Sequence, residues 1–181
     1  MKNLTKLFLG LLFASVILTG CKEAEEIFYV NFNADYETEF EVNIPPSGGK
    51  MGVDATFSVN ETIDPTTNSD YLLYIDNIKE VDIKEVTGEV LLISKNVTLQ
   101  STTITVSNPS HSATWTFSDE DIQVGTVLTL GNEQGQWDSM TEIMLGKVPF
   151  IVNIDGEVDD DDVDFTVLFK ITSVVTASPL Q

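Results

Sequence analysis

The sequence predicts an all-β domain, a β-sandwich of immunoglobulin-like or jelly-roll-like type with two short helical excursions. Apolar and polar residues alternate with a period of two through most of the chain after residue 27, which is typical of strands with one buried face. Helical spacing of apolar residues occurs at only two places, each over a few turns. Many strands with two short helices favour a sandwich over an alternating βαβ fold.

The first three strands are predicted from clear alternation. Phe28 to Asn33 and Tyr36 to Ile44 each alternate apolar and polar side chains, and Val53 to Asn60 does so again. The second of these runs ends at Pro45-Pro46-Ser47-Gly48-Gly49, which has the composition of a turn. We therefore expect three strands separated by short connections.

The middle of the chain predicts the first helix and a bulged strand. Apolar residues recur at helical spacing from Tyr71 to Ile78, after a polar loop in which Asn68 or Ser69 would cap the helix. Alternation resumes at Val81 but changes parity, so we expect a β-bulge or a bend near Lys84-Glu85.

The next segment predicts three strands and the second helix. Strands are expected at 96–107, with Ile104 and Val106 inward, at 113–118, and from Ile122 to Leu130. Trp137 to Met144 has helical spacing, with Gly146 placed to end the helix, and we expect this helix to cover one end of the sheet.

The last two strands predict a metal site. If Phe150–Val158 paired with Val163–Ile171 across a turn at Asp160-Asp161, their apolar faces would match, and Glu157 would lie opposite Asp164 and Asp159 opposite Asp162. Opposed like charges destabilise a sheet, which favours a compensating Ca²⁺ ion. The run lacks the spacing of an EF-hand loop, and a solvated acidic tip that protects exposed strands is the alternative. The tentative Ca²⁺ ligands are Glu157, Asp159, Asp160, Asp161, Asp162 and Asp164.

No other residues form a constellation with a defined chemistry. His111 is the only histidine, and its neighbours have the composition of a turn. Because the chain has 29 acidic residues, no particular pair of carboxylates indicates a glycoside hydrolase. Trp115 is expected to pack in the core, whereas Trp137 is the candidate platform for a sugar ring. We therefore predict a protein that is not an enzyme and needs no cofactor other than the tentative Ca²⁺.

The N-terminal residues resemble a bacterial lipoprotein signal. Lys2 and Lys6 precede an apolar run from Leu7 to Leu18, and Leu18-Thr19-Gly20-Cys21 resembles the lipobox, with Cys21 the sole cysteine. The resemblance implies cleavage before Cys21 and acylation of that residue. Residues 1–20 would then be the signal peptide, 21–26 the lipidated cysteine with an acidic tether, and 27–181 one β-sandwich domain. The apolar run is too short to cross a membrane, which takes about 20 residues.

The residues after the cysteine bear on localisation. Lys22-Glu23-Ala24-Glu25-Glu26 resembles the charged signals of surface-exposed lipoproteins of the Bacteroidota, and a plain solvated tether is the other interpretation. Outer-membrane attachment through the lipid on Cys21 is expected under both interpretations.

The charge of the chain excludes several partners. Nine lysines and no arginine face 29 acidic residues, giving a formal net charge of −20. Nucleic acid binding requires basic residues, and an acidic domain is repelled by an anionic bilayer. We expect a lipid-anchored cell-envelope protein with a structural, adhesive or ligand-binding role and a glycan or protein partner on the cell surface. A surface carbohydrate-binding module and an envelope hydrolase that uses acidic residues are the alternatives.

Overall fold

The computed structural model describes residues 29–47 and 54–179, which form a two-sheet β-sandwich with two short α-helices. The predicted all-β fold class is confirmed. Cys21 and the predicted tether lie outside the described residues. The elements are β1 (Val30–Asn33), β2 (Tyr36–Ile44), β3 (Ala55–Ile63), α1 (Ser69–Tyr74), β4 (Ile78–Ile93), β5 (Val97–Ser107), β6 (Ser112–Ile122), β7 (Val127–Thr129), α2 (Gln136–Leu145), β8 (Phe150–Val158) and β9 (Val163–Ala177).

Both sheets are antiparallel throughout. In the five-stranded sheet, β1 and β2 pair with successive parts of one edge of β9, and β4 and then β7 follow on the other side. The four-stranded sheet has the order β3-β8-β5-β6.

The pairing identifies the sandwich as a jelly roll. Four pairs are nested in sequence: β5 with β6, β4 with β7, β3 with β8, and β2 with β9. Such nesting describes one long antiparallel ribbon, and rolling it up adds the pairs β4–β9 and β5–β8 that complete the two sheets. Of the two sandwich types that the sequence allows, the strand order therefore selects the jelly roll over the immunoglobulin arrangement.

The predicted hairpin between the last two strands is wrong. β8 lies between β3 and β5 in one sheet, whereas β9 lies between β2 and β4 in the other. Val158 pairs with Ala55 and Leu99, and Val163 pairs with Ile44. Alternation shows which face of a strand is buried but not which strand is its neighbour, and the inner faces of both sheets are apolar.

Most of the middle of the chain agrees with expectation. The register of β4 against β9 shifts between Ile83 and Glu85, which confirms the predicted bulge. Asn68 caps α1, accepting hydrogen bonds from the backbone of Asp70 and Tyr71. The strand predicted from Ile122 to Leu130 is wrong, because Ile122 ends β6 and the chain turns at Gly125 (φ 83°) before the three-residue β7.

The sandwich has two ends, which we call the helix end and the loop end. At the helix end, Val30 and Ile78 pair with Ala177, and both helices pack there. The Tyr71 hydroxyl of α1 donates to the carbonyl oxygen of Met144 in α2. At the loop end, residues 159–162 cross from one sheet to the other. The described residues contain no helix that could span a membrane.

The interior divides into two clusters that match these ends. The helix-end cluster includes both helices and most of the buried aromatic residues, with Tyr71, Phe150 and Met140 fully buried. The loop-end cluster is smaller and mainly aliphatic. Phe57 packs against both clusters, and its ring centroid lies 5.3 Å from that of Phe165 in an edge-to-face arrangement.

Candidate binding face and acidic loop

The jelly-roll topology separates the six predicted Ca²⁺ ligands. Glu157 lies on the outer face of the four-stranded sheet, in register with Thr56 and Ser101. Asp164 lies on the outer face of the five-stranded sheet, where its carboxylate accepts a hydrogen bond from the amide of Asn43. These two carboxylates therefore face away from each other across the whole sandwich.

Lys95 pairs with one of the four aspartates in the loop between them. The Lys95 Nζ atom lies 2.7 Å from Oδ2 of Asp160 and also donates to the carbonyl oxygen of Asp161. This hydrogen bond from Lys95 holds the pKa of the Asp160 carboxyl below its ordinary value. Asp159 is tied down as well, because its Oδ1 accepts the backbone N–H of Thr98 at 2.9 Å.

Asp161 and Asp162 complete the same turn. Asp161 is buried, and its Oδ2 accepts the backbone N–H of Ser47 at 2.5 Å. Hydrogen bonds from Ser47 hold the pKa of the Asp161 carboxyl below its ordinary value. Asp162 adopts left-handed backbone geometry (φ 55°), which redirects the chain into β9 and which aspartate tolerates better than most residues.

The described acidic residues do not assemble a metal centre. Within residues 29–47 and 54–179, no three His, Cys, Asp or Glu side chains lie close enough to hold a metal ion. The cation that compensates Asp160 is an ammonium group of the protein itself. Binding of Ca²⁺ stays a prediction, but the pairing of β8 with β9 on which it was based is wrong.

The two tryptophans both hydrogen-bond inward. Trp115 is buried, as predicted, and its Nε1 lies 2.7 Å from the carbonyl oxygen of Gly131. Trp137 lies in the first turn of α2, is half-buried against the helix-end cluster, and donates from Nε1 to the carbonyl oxygen of Leu130 at 2.9 Å. The role of Trp137 as a sugar platform stays a prediction. His111 is exposed in the turn between β5 and β6.

A surface that the sequence reasoning missed covers the outer side of β5 and β6. Within residues 101–107 and 112–118, all eight outward positions of this strand pair carry a hydroxyl group, and we call this surface the hydroxyl face. In register, the pairs are Ser101–Ser118, Thr103–Thr116, Thr105–Thr114 and Ser107–Ser112. The Oγ1 atoms of Thr105 and Thr114 lie 3.3 Å apart. The sequence signal is the alternating Ser and Thr in 101–107 and 112–118, which becomes a surface only once the register is known.

The hydroxyl face continues into a groove across the neighbouring strands. Thr56, Ser58, Asp155 and Glu157, among others, line an open groove of about 460 Å³. Asp155 and Glu157 are two residues apart on β8 and so share one face, with Cα atoms about 7 Å apart. The groove lies on the open face of a sheet and is lined by neutral donors and acceptors with an acidic rim, which suits a hydroxylated ligand better than an anion.

The outer face of the five-stranded sheet is chemically different, and we call it the acidic face. Its β2 edge carries Glu37, Glu39 and Glu41 at alternate positions. Lys170 lies beside them, with Nζ 2.9 Å from Oε1 of Glu37, and this hydrogen bond raises the pKa of Lys170. Alternating carboxylates on an edge strand block pairing with a further strand.

Comparisons with known proteins add little. No family model and no curated protein matches the chain. Similar solved structures include the decameric BFDV capsid protein, 11% identical over 83% of this chain and 99% of that chain, with a TM-score of 0.43. The 60-mer BFDV capsid protein is 10% identical over 84% and 96%, with a TM-score of 0.33. Desmodium yellow mottle tymovirus is 8% identical over 84% and 91%, with a TM-score of 0.26. Because these TM-scores lie below 0.5, we infer nothing about this chain from these structures.

Proposed function

We propose that this chain is a lipid-anchored protein of the bacterial outer membrane, whose jelly-roll domain has a non-enzymatic adhesive or ligand-binding role. The observation that carries the proposal is Leu18-Thr19-Gly20-Cys21, in which the sole cysteine ends an apolar run with a basic start. Because no other thiol exists, acylation of Cys21 competes with no disulfide or thiolate chemistry.

The position of β1 supports this arrangement. Val30 lies nine positions after Cys21, so the chain between them reaches at most about 30 Å. Val30 pairs with Ala177 at the helix end, whereas β9 begins fourteen positions earlier at the loop end, about 47 Å away. A lipid on Cys21 would therefore hold the helix end towards the membrane and leave both outer sheet faces accessible.

Metabolic labelling with a fatty-acid analogue tests the anchor. We expect the wild-type chain to incorporate the label and to fractionate with outer membranes, and the Cys21→Ser variant to do neither. A Cys21→Ser protein that still incorporates label would refute the proposal, as would an unlabelled wild-type protein. Protease accessibility on intact cells then separates a surface-exposed domain from a periplasmic one, and so tests the interpretation of residues 22–26.

The second candidate function is binding of a neutral surface carbohydrate, and the hydroxyl face favours it. The eight paired hydroxyl residues of this face carry no charge, on a chain with a net charge of −20, and Asp155 and Glu157 of the neighbouring β8 border them. Sugar hydroxyls hydrogen-bond well to such donors and acceptors. The hydrolase alternative gains no comparable support, since Asp155 and Glu157 lie on an open groove that does not exclude water.

A glycan array distinguishes the surfaces. We expect Thr103→Val/Thr116→Val to lower binding, because valine keeps the shape and strand preference of threonine but removes both hydroxyls. The matched control is Thr87→Val/Thr129→Val, a paired threonine couple on the other sheet. Loss on Trp137→Ala alone would move the site to α2, and no binding of wild type to the array would overturn this candidate.

A further inference from the structure

Helix α1 presents two adjacent leucines to solvent at the helix end. Leu72 and Leu73 are 52% and 55% exposed, and Tyr29, which precedes β1, is 42% exposed. Exposed large apolar side chains are individually common, but adjacent ones on a fixed helix form a surface that water solvates poorly.

The presentation of these leucines is fixed by the packing of α1. The buried Tyr71 anchors the helix from below through its hydrogen bond to Met144. The Tyr74 ring stacks on Phe32 of β1, with centroids 5.6 Å apart, and the Asn68 side chain donates to the carbonyl oxygen of Asn33 at 3.4 Å. Since Tyr71 and Tyr74 take the inward positions, Leu72 and Leu73 cannot turn into the core without unpacking the helix.

The same contacts place α1 beside the strand that leads to the anchor. Phe32 and Asn33 belong to β1, and Tyr29 lies only eight positions after Cys21, a reach of less than about 30 Å. We propose that Leu72 and Leu73, together with Tyr29, insert into the interface of the bilayer that holds the acyl chains of Cys21. This inference rests on the proposed lipid anchor and adds an orientation to it: the helix end touches the membrane.

The charges around α1 predict which lipids favour the contact. Asp70 and Asp76 flank the leucines, and the chain as a whole is strongly acidic. Carboxylates are repelled by anionic headgroups, so the insertion is expected to be deeper on zwitterionic than on anionic vesicles. The lipid anchor supplies the attachment, and the leucines determine how the domain sits.

Single-cysteine labelling of the lipidated chain tests the contact. Because Cys21 carries the lipid, a cysteine introduced at Leu73 is the only free thiol and accepts an environment-sensitive fluorophore. The matched control is Leu92→Cys, a 65% exposed leucine on β4 towards the loop end. Both variants are purified in detergent and reconstituted into phosphatidylcholine vesicles, with and without phosphatidylglycerol.

The reference for each label is the same cysteine variant with Cys21→Ser added, which carries no lipid and is measured in detergent-free buffer. We expect the label at position 73 to emit at a shorter wavelength on phosphatidylcholine vesicles than in this reference. The emission wavelength of the label at position 92 should be the same in both samples. Quenching by lipids with a shallow nitroxide should exceed quenching by deep ones, because interfacial side chains enter only about 5–10 Å. Equal, aqueous emission at positions 73 and 92 on vesicles that carry the protein would overturn the inference while leaving the anchor intact. A chain that fails to float with vesicles at all would instead refute the anchor.

Discussion

The helix end and the loop end close the same sandwich by different physical means. At the helix end, α1 and α2 place Tyr71, Met140, Ile143 and Met144 against the inner faces of both sheets with no exposed surface. At the loop end, a turn with four consecutive aspartates is held by Lys95 and Ser47. One closure uses apolar burial, and the other uses charge-assisted hydrogen bonds.

The difference indicates where the stability of the molecule resides. Burial of large apolar side chains contributes several kcal/mol per residue, whereas an ion pair with partly exposed partners contributes far less, because water screens the charges. Both members of the Lys95–Asp160 pair are about one-third exposed. The helix end should therefore carry most of the stability, and the loop end should mainly define the crossing between the sheets.

The largest expected effect is at the helix end. Phe150 is fully buried, and its ring lies edge-to-face with Tyr36 at 6.4 Å. Phe150→Ala should lower the free energy of unfolding by about 3–5 kcal/mol, because a cavity remains. Urea denaturation measures this, with the exposed Leu92→Ala as control, expected within about 0.5 kcal/mol of wild type. Equal changes for both variants would contradict the assignment of the core.

The junction of the two clusters is the next test. A Cβ atom at Gly156 would lie 2.4 Å from Cζ of Phe57, so Gly156→Ala must displace the ring that packs against Phe165. We expect a loss of about 1–3 kcal/mol. The matched control is Gly88→Ala, whose Cβ would lie 3.5 Å from Val167 in ordinary contact. If Gly88→Ala were the more damaging, the two clusters would not meet at Phe57.

Position 102 should give a gain. Thr102 is buried beside Gly156, and its Oγ1 atom is the one described buried side-chain oxygen or nitrogen without a hydrogen-bond partner. Thr102→Val keeps the shape and removes the unsatisfied hydroxyl, so we expect the free energy of unfolding to rise by about 1 kcal/mol. Thr103→Val, on the hydroxyl face, should leave it nearly unchanged. A destabilised Thr102→Val protein would indicate that the hydroxyl has a partner in solution.

The sequence predicts local structure here better than it predicts pairing. Alternation located most of the strands, helical spacing located α1 and α2, and the change of parity near Lys84 located a bulge that the register confirms. Each of these local features is determined by a few residues that are close together in the sequence. The strands that pair with β8 and β9 are not determined in this way. All strands of both sheets have an apolar inner face, so burial alone does not decide which strands pair.

The candidate sites show the same limit. Lys95 is 65 residues from Asp160, so nothing local indicated that an internal cation would meet the aspartates. The strand pairing predicted for the acidic residues was wrong, and Glu157 and Asp164 lie on opposite outer faces because the chain crosses between the sheets. Conversely, the hydroxyl face was present in the sequence as two alternating runs of Ser and Thr, but their alignment follows only from the register.

The two ends should respond to opposite extremes of pH, beginning with alkali at the helix end. Burial raises the pKa of Tyr71 to about 12 and also raises that of Tyr36 above its ordinary value. An unfolded tyrosine ionises near pH 10, so the stability from these hydroxyls is complete below about pH 10 and is lost as the pH rises towards the folded-state values. Midpoints of urea denaturation, measured from pH 8 upwards towards about pH 12, follow this loss of stability. Tyr71→Phe should flatten the profile, and an unchanged profile would contradict the burial of this hydroxyl as its cause.

The smallest effect is expected at the loop end, in acid. Hydrogen bonds hold the pKa values of Asp160 and Asp161 below their ordinary value, while an unfolded aspartate titrates near pH 3.9. The stability from these carboxylates is therefore complete above about pH 4 and is lost as the pH falls through the lower folded-state values. Lys95→Met should weaken this acid dependence, because Asp160 loses its partner, whereas Asp161 keeps Ser47.

Lys170→Met, which removes an exposed pair with Glu37 on the acidic face, is the matched control. Thermal melts between pH 6 and pH 2 compare the three proteins. An acid profile of Lys95→Met identical to that of wild type would show that the ammonium group does not hold the loop, and would leave Ser47 as the contact that closes this end of the sandwich.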